Sequence, residues 1–143
     1  MSTVLRTPEP TDEQLKQTLK EAKTIAVVGL SDDPLRPSYG VAKYLQDRGY
    51  RIIPVNPKCT YILGEKVYPD LLSIPFDIDI VDVFRRPSAV AAHVDEAIRK
   101  GTKLIWLQLG IRNDEAAQEA REAGIDVVQD RCLKIEHMRL VRH

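Results

Sequence analysis

The sequence predicts an α/β fold: a three-layer, doubly wound parallel sheet of about five strands with helices on both faces. Short β-branched runs alternate along the chain with amphipathic helical patterns, and the runs are uniformly apolar, as in strands buried on both faces. This alternation implies right-handed crossovers and a parallel, Rossmann-like sheet. The strand order stays open, because two doubly wound arrangements share this succession of elements.

Local signals place the individual elements. A Thr-x-x-Gln capping box at Thr11 begins a leading helix over residues 11–22. Pro87 suits the first turn of a helix that ends at Gly101. The predicted strands are residues 24–29, 51–55, 78–84, 103–107 and 125–128, and the later helices are residues 39–48, 87–100, 114–123 and 133–140. Between the second and third strands, residues 64–75 form a turn-rich crossover in which only residues 70–73 have a helical pattern.

Length and composition limit the function classes. We expect the 143 residues to form a single domain over residues 1–143, with residues 1–10 flexible. The 21 Lys and Arg residues balance the 21 Asp and Glu residues, so no overall positive field attracts nucleic acid or an anionic membrane. No secretory leader or membrane-spanning stretch is evident, and we therefore expect a cytoplasmic protein. Cys59 and Cys132 lack metal-ligand spacing, so we expect unpaired thiols and no metal site.

Cationic residues follow the first three predicted strands. Arg36 lies in the loop after the first strand, Lys58 after the second, and Arg85 and Arg86 after the third. The carboxyl ends of parallel strands meet at one edge of the sheet, so we expect these side chains to point into one shared cleft. Arginine and lysine, together with the N–H groups of a helix N-terminus, bind phosphate oxygens. The pattern therefore predicts a ligand that carries several phosphates.

The first loop does not carry the dinucleotide fingerprint. That motif requires G-x-G-x-x-G after the first strand, whereas Gly29 is followed by Leu-Ser-Asp-Asp-Pro. It also requires an acidic residue about 20 positions later, where this chain has Asn56 and Lys58. These departures weaken NAD as the ligand and leave NADP or a 3′-phosphorylated nucleotide open.

Six short segments in a fixed order carry a family resemblance. They are Val-Val-Gly-Leu-Ser at 27–31, Arg-Pro-Ser-Tyr-Gly at 36–40, Val-Asn-Pro-Lys at 55–58, Val-Phe-Arg-Arg-Pro at 83–87, Trp-Leu-Gln-Leu-Gly at 106–110 and Asp-Arg-Cys at 130–132. Together they resemble the small single-domain CoA-binding proteins, which are similar to the N-terminal CoA-binding domain of succinyl-CoA synthetase α subunits. The resemblance covers residues 24–132 and implies coenzyme A as the cofactor.

The resemblance also implies roles for these residues. Gly29, Ser31 and the next helix N-terminus would face the diphosphate, with Arg36 neutralising charge nearby. Residues 55–58 would line the adenosine 3′-phosphate end, and Phe84 with Arg85 would pack on the nucleotide and clamp it. Gln108, Gly110 and Ile111 would lie along the pantetheine arm. The predicted cofactor-binding residues are Gly29, Leu30, Ser31, Arg36, Ser38, Tyr39, Val55, Asn56, Pro57, Lys58, Phe84, Arg85, Arg86, Gln108, Gly110 and Ile111.

No catalytic residue is predicted. In the synthetase the phosphorylated histidine belongs to a second domain, which this chain is too short to contain. We expect solvated or capping roles for His93, His137 and His143, and an inert thiol at Cys132 beside Arg131. Turn, loop and strand-end positions account for the carboxylates Asp32, Asp33 and Asp82.

The functional prediction is therefore binding of coenzyme A or an acyl-CoA without catalysis by this chain alone. Two alternatives remain open within the enzymes: an NADP-type oxidoreductase, and a subunit of an acyl-CoA enzyme that needs a partner. A regulatory protein that senses the nucleotide is a third reading, and a protein partner or oligomer is compatible with all of them.

Overall fold

The computed structural model describes residues 9–141, and its strands and helices alternate as the sequence predicts. The helices are α1 (Asp12–Glu21), α2 (Pro37–Asp47), α3 (Pro87–Lys100), α4 (Asp114–Glu122) and α5 (Leu133–Leu140). The strands are β1 (Thr24–Val28), β2 (Arg51–Val55), β3 (Tyr61–Ile62), β4 (Glu65–Lys66), β5 (Ile80–Val83), β6 (Leu104–Leu107) and β7 (Asp126–Val128). A single 3₁₀ turn, Leu71–Ser73, lies in the crossover before β5. Of the expected flexible segment, residues 1–8 lie outside the described residues.

Five strands form one parallel sheet in the order β2-β1-β5-β6-β7, which confirms the predicted α/β class. Thr24 of β1 is in register with Arg51 of β2, and Ile25 of β1 is in register with Ile80 of β5. The chain thus leaves β1 toward β2 on one side and returns past β1 to β5 on the other. This reversal of strand order lies between β1 and β5, where ligands bind in doubly wound sheets. The strands β3 and β4 form a separate antiparallel hairpin, which the sequence did not predict.

Alternate residues of each strand pack into two different helix layers. Ile25 and Val27 of β1 belong to the core shared with α1, α2 and α5, whereas Ala26 and Val28 belong to the core shared with α3 and α4. Trp106 is fully buried in the first of these layers, as expected of a core residue, and its Nε1 donates to the carbonyl of Arg131 at 2.8 Å. Both faces of the sheet are covered, which is why the strands are apolar throughout.

The helix ends follow the predicted local signals. Thr11 caps α1 with a complete capping box, in which Gln14 donates its backbone N–H to the Thr11 hydroxyl and its side chain accepts from the Thr11 N–H. The helix α3 begins at Pro87 and ends before Gly101, whose φ of 73° is the left-handed conformation typical of a helix C-terminus. The start of α1 and both ends of α3 could therefore be predicted from residues next to them in the sequence.

The prediction for His137 is wrong. Its residue surface is only 4% exposed, and its Nδ1 lies 2.9 Å from the hydroxyl of Tyr44. The ring of Tyr50 packs edge-on against the same imidazole, and burial lowers the pKa of His137. His93 is also partly buried, so it is not simply solvated. His143 lies outside the described residues.

The strand-end position predicted for Asp82 does not account for this carboxylate either. The side chain lies within β5 and is fully buried, so a position near the end of a strand does not expose it to solvent.

The turn after β1 brings two backbone segments close together. Gly29 has a φ of 85°, and its N–H donates to the carbonyl of Val55 at 2.9 Å. A Cβ at this position would lie 2.5 Å from the carbonyl oxygen of Phe84, a contact that would force the backbone apart. Glycine is therefore required here for two reasons: its φ is positive, and the chain after β5 lies too close to leave room for a side chain.

We expect Gly29→Ala to lower the free energy of unfolding by more than Gly124→Ala does. Gly124 has nearly the same φ, 86°, but a Cβ there would meet nothing within 4 Å, so its substitution measures conformational strain alone. We expect roughly 1–3 kcal/mol from strain in both variants and a further loss from the clash only at Gly29. Urea unfolding of the two variants measures the difference, and equal losses would contradict the close approach.

Candidate functional site

A cleft of about 310 Å³ opens at the carboxyl ends of β1, β2 and β5. Its lining residues are Gly29, Ser31, Arg36, Pro37, Ser38, Asn56 and Phe84. Every one of them except Pro37 is among the residues predicted to bind the cofactor. Pro37 was not predicted to bind the cofactor, although it lies inside the Arg-Pro-Ser-Tyr-Gly segment. It is the first residue of α2, and a proline at the first helical position is the sequence signal that could have identified it.

A larger depression of about 640 Å³ lies elsewhere, where the ends of α1 and α2 meet α5. Its lining includes Tyr50 and His137 but none of the predicted binding residues. The smaller cleft is the candidate site because it lies at the reversal of strand order.

The side chains of the loop after β1 hold that loop in place. The Ser31 N–H donates to the Ser38 hydroxyl at 3.0 Å, and the Asp33 N–H donates to the Ser31 hydroxyl at 3.0 Å. Asp33 in turn accepts from the N–H of Leu35 at 3.0 Å. These bonds fix the path of the chain into α2.

The helix α2 begins beside the cleft, and no side-chain hydrogen bond caps it at Arg36. Its N-terminal partial positive charge therefore favours an anion in the cleft.

Asn56 joins the loops after β1 and β2. Its Nδ2 donates to the carbonyl of Leu30 at 3.0 Å, and its Oδ1 accepts from the N–H of Lys58 at 2.8 Å. Its own N–H donates to the carbonyl of Tyr68 at 2.9 Å, which ties in the segment after the β3–β4 hairpin. An amide side chain can make both bonds at once because its nitrogen donates and its oxygen accepts. Asn56 thus fixes one wall of the cleft with its side chain already engaged.

The predicted cations do not all converge on this cleft. Arg36 lines it. Arg85 is half-buried, and its Cδ lies 2.9 Å from the position of a Cβ on Gly29, so its stem packs beside the cleft floor. Lys58 and Arg86 are exposed and are not among the lining residues. The structure therefore brings together Arg36 and Arg85 near Gly29 and leaves Lys58 outside the cleft.

Four other predicted residues pack inside the protein or face solvent. Leu30 and Val55 are buried in the two core layers, and Tyr39 packs partly against the same core as Leu30. Pro57 is exposed. Their backbones flank the cleft, but the side chains of Leu30 and Val55 support it from below.

The residues predicted along the pantetheine arm lie in a bonded pair of loops after β6 and β7. Gln108 is buried, and its Oε1 accepts from the N–H of Leu133 at 3.0 Å. The Gly110 N–H donates to Asp130 Oδ1 at 2.7 Å, and the Ile111 carbonyl accepts from the Asp130 N–H at 3.2 Å. None of these three residues lines the cleft. A ligand that reaches them would have to extend beyond it along the edge of the sheet.

The two cysteines are unpaired, as predicted. Partial burial and the neighbouring carboxylate of Asp32 raise the pKa of the Cys59 thiol. Arg131, next to Cys132, pairs with Glu9 at 3.0 Å and with Glu136 at 3.5 Å, so carboxylates already balance its charge.

Two kinds of feature do not occur within residues 9–141. These residues hold no group of three or more His, Cys, Asp or Glu side chains placed to bind a metal ion. No helix over the same residues has both the length and the apolar character needed to cross a membrane.

The parallel sheet and its cleft define a doubly wound α/β protein with a candidate ligand-binding cleft at the reversal of strand order. The chain belongs to the CoA-binding domain family, whose sequence model matches residues 23–138. The match includes every residue that lines the cleft and confirms the family resemblance found in the sequence.

Relatives of similar length match almost the whole chain. The chain is 43% identical over 128 residues to the uncharacterized protein YneT of Bacillus subtilis, a match that covers 90% of this chain and 95% of YneT. A hypothetical protein from Pyrococcus horikoshii superposes with a TM-score of 0.90 at 42% identity, covering 99% of both chains.

Larger relatives contain the same domain as one part. The chain is 32% identical over 81 residues to the ADP-forming acetate–CoA ligase of Methanocaldococcus jannaschii. That match covers 57% of this chain but only 12% of the ligase.

Proposed function

We propose that this protein binds coenzyme A or an acyl-CoA at the carboxyl edge of its sheet and does not catalyse a reaction by itself. The observation that carries the proposal is the composition of the cleft: Arg36 and the N-terminus of α2 adjoin Gly29 at the reversal of strand order. Membership of the CoA-binding domain family supports the choice of ligand.

The diphosphate would lie against Gly29, Ser31 and the first turn of α2. This part of the cleft has one cationic side chain, Arg36, and its lining residues include no carboxylate. Asp32 and Asp33 belong to the same loop but are exposed, and Asp33 turns back to cap its own loop. A bound diphosphate would therefore meet positive charge and backbone dipoles without a like charge in the wall.

The adenosine would lie between Asn56 and Phe84. Phe84 is partly buried at the end of β5 and lines the cleft, so one part of its ring is available to pack on a base. Lys58, exposed two residues after Asn56, is placed to meet a phosphate that projects from the cleft toward solvent. The pantetheine arm would run from the cleft toward residues 108–111.

The cleft supplies few groups for chemistry. Its polar side chains belong to Ser31, Ser38, Asn56 and Arg36, and the Ser38 hydroxyl already accepts from the Ser31 N–H. None of these residue types serves as an acid or base near neutral pH without a partner. We propose that any reaction on the acyl group needs a second protein.

A role as a subunit of an acyl-CoA enzyme is the second candidate. It is favoured by the match to the acetate–CoA ligase, in which this domain makes up a small share of the chain. The two unpaired cysteines suit the reducing cytoplasm in which we propose that the protein works.

Isothermal titration with coenzyme A, NADP, NAD and ATP tests the ligand. We expect coenzyme A to bind most tightly, because it alone combines a diphosphate with a 3′-phosphate and a pantetheine arm. Mass spectrometry of protein purified without added ligand then shows whether a free or an acylated form is carried along. Tighter binding of NADP, NAD or ATP would overturn the proposal.

We expect Arg36→Ala to weaken coenzyme A binding by roughly 10- to 100-fold. A hydrogen bond to a charged group contributes roughly 1.5–3 kcal/mol, and Arg36 is the cation that lines the cleft. Arg99→Ala is the matched control, because Arg99 is exposed on α3 and pairs with Asp95 at 3.6 Å. The control should leave the affinity unchanged. Equal losses in both variants would mean that general charge, and not the cleft, attracts the ligand.

We expect Lys58→Ala to weaken binding of coenzyme A more than binding of 3′-dephospho-coenzyme A. The reason is that Lys58 lies outside the cleft, on the side proposed for the 3′-phosphate. Lys43→Ala removes an exposed lysine of α2 that pairs with Asp47 and should affect neither ligand. An undiminished loss with the dephosphorylated ligand would place Lys58 at a different phosphate.

A further inference from the structure

One carboxyl group lies inside the sheet without a partner. Asp82 is in β5, in register with Val27 of β1 on one side and Trp106 of β6 on the other. Its residue surface is 0% exposed. Among the described residues, neither of its carboxyl oxygens has a hydrogen-bond partner. Such a group is rare in folded proteins, because an unpaired buried polar atom costs free energy.

The layer around Asp82 supplies no compensating charge. Val27 and Trp106 flank it from the neighbouring strands, and Trp106 Nε1 is already bonded to the Arg131 carbonyl. The residues that α1 buries in this layer are Leu15 and Leu19. Among the described residues, the titratable side chains packed in or against the layer include Tyr39 and Tyr44 of α2, Tyr50 and Cys59 on either side of β2, Cys132, and His137 of α5, which contacts Tyr44 and Tyr50.

These titratable groups are occupied elsewhere or do not act on Asp82. The Tyr44 hydroxyl is bonded to His137, and the Tyr50 hydroxyl donates to the Leu19 carbonyl. The Lys134 ammonium lies over the Tyr44 ring at 5.5 Å from its centre. Burial alone raises the pKa of Asp82, well above its usual range, with no contribution from a neighbouring charge. An ionised carboxylate at this place would have neither solvent nor a counter-ion.

We infer that Asp82 is a proton-binding site of the fold: its carboxyl group is neutral in the native protein, and rising pH destabilises the native sheet by drawing that proton away. The neutral acid is only moderately costly to bury, whereas the ionised form is very costly. In the unfolded chain an aspartate ionises near pH 3.9. Folding therefore takes up one proton at any pH between this value and the higher native one.

The direction of the pH dependence follows from this proton uptake. The native state binds a proton that the unfolded state has already released, so the stabilisation is complete at low pH and is lost as the pH rises above about 4. For one proton, the ratio of folded to unfolded protein falls about tenfold for each pH unit across this window. Asp82 lies two residues before Phe84, which follows β5 and lines the cleft.

Comparison of the wild type with Asp82→Asn tests the inference. Denaturant unfolding gives the folded-to-unfolded ratio of each protein from pH 5 to pH 7. We expect the wild-type ratio to fall relative to that of the variant, by up to about tenfold for each pH unit over which the native acid keeps its proton, because the amide has no proton to lose and the other titratable groups are common to both. Asp126→Asn, at an exposed position of β7, is the control, and its ratio to the wild type should not change with pH. A pH-independent comparison for Asp82→Asn would overturn the inference.

A direct measurement on the wild type covers the case in which Asp82→Asn does not fold. The carboxyl carbon of Asp82, followed by NMR in labelled wild-type protein, should keep the chemical shift of a neutral acid at pH 5, where an aspartate of the unfolded chain is ionised. Asp82→Leu, which replaces the acid by an apolar side chain of similar size, identifies the signal by its loss. An Asp82 signal that titrates near pH 4 would show an ionised carboxylate and refute the proton site.

Discussion

The approach of the chain at Gly29 to the chain at Phe84 is the constraint on which the candidate site depends. A Cβ on Gly29 would lie 2.5 Å from the Phe84 carbonyl oxygen, so the two segments are closer than any residue with a side chain at position 29 would permit. The ladder of backbone bonds continues through this point, with the Phe84 N–H donating to Val28 at 2.8 Å and the Gly29 N–H donating to Val55 at 2.9 Å. The ends of β2, β1 and β5 are thereby fixed before any loop begins. The cleft and the start of α2 take their positions from that fixed base.

The loops above this base differ in how they are held. After β1 and β2, side chains of Ser38 and Asn56 hold the backbone while leaving a space between the loops. After β6 and β7, Asp130 and Gln108 bond the two loops to each other and to α5. The same parallel sheet therefore presents an open edge at β2, β1 and β5 and a closed one at β6 and β7. Topology and side-chain chemistry both contribute to this division, because the reversal of strand order separates the loops after β1 and β5 and the bonds of Asp130 and Gln108 close the loops after β6 and β7.

The sequence predicted those features whose cause is local. Pro87 and Gly101 mark both ends of α3, and the Thr11 capping box marks the start of α1. Strand order was not predictable, because no local pattern says on which side of β1 the chain returns. The β3–β4 hairpin could not be predicted, because strands of two residues are too short to show an alternation of apolar and polar side chains. The solvated or capping role predicted for His137 is wrong because its partner, Tyr44, is 93 residues away in the chain, and no local pattern indicates that contact.

The position of Lys58 shows why convergence at a sheet edge does not follow from strand ends alone. The Lys58 N–H donates to Asn56 Oδ1 at 2.8 Å, a turn that uses the side chain of Asn56 and leaves Lys58 exposed outside the cleft. Arg36 instead immediately precedes α2 and lines the cleft. A compact polyphosphate would favour cations gathered around one point. Cations divided between the inside and the outside of the cleft are compatible with the ligand that we propose, because coenzyme A carries a diphosphate and a separate 3′-phosphate.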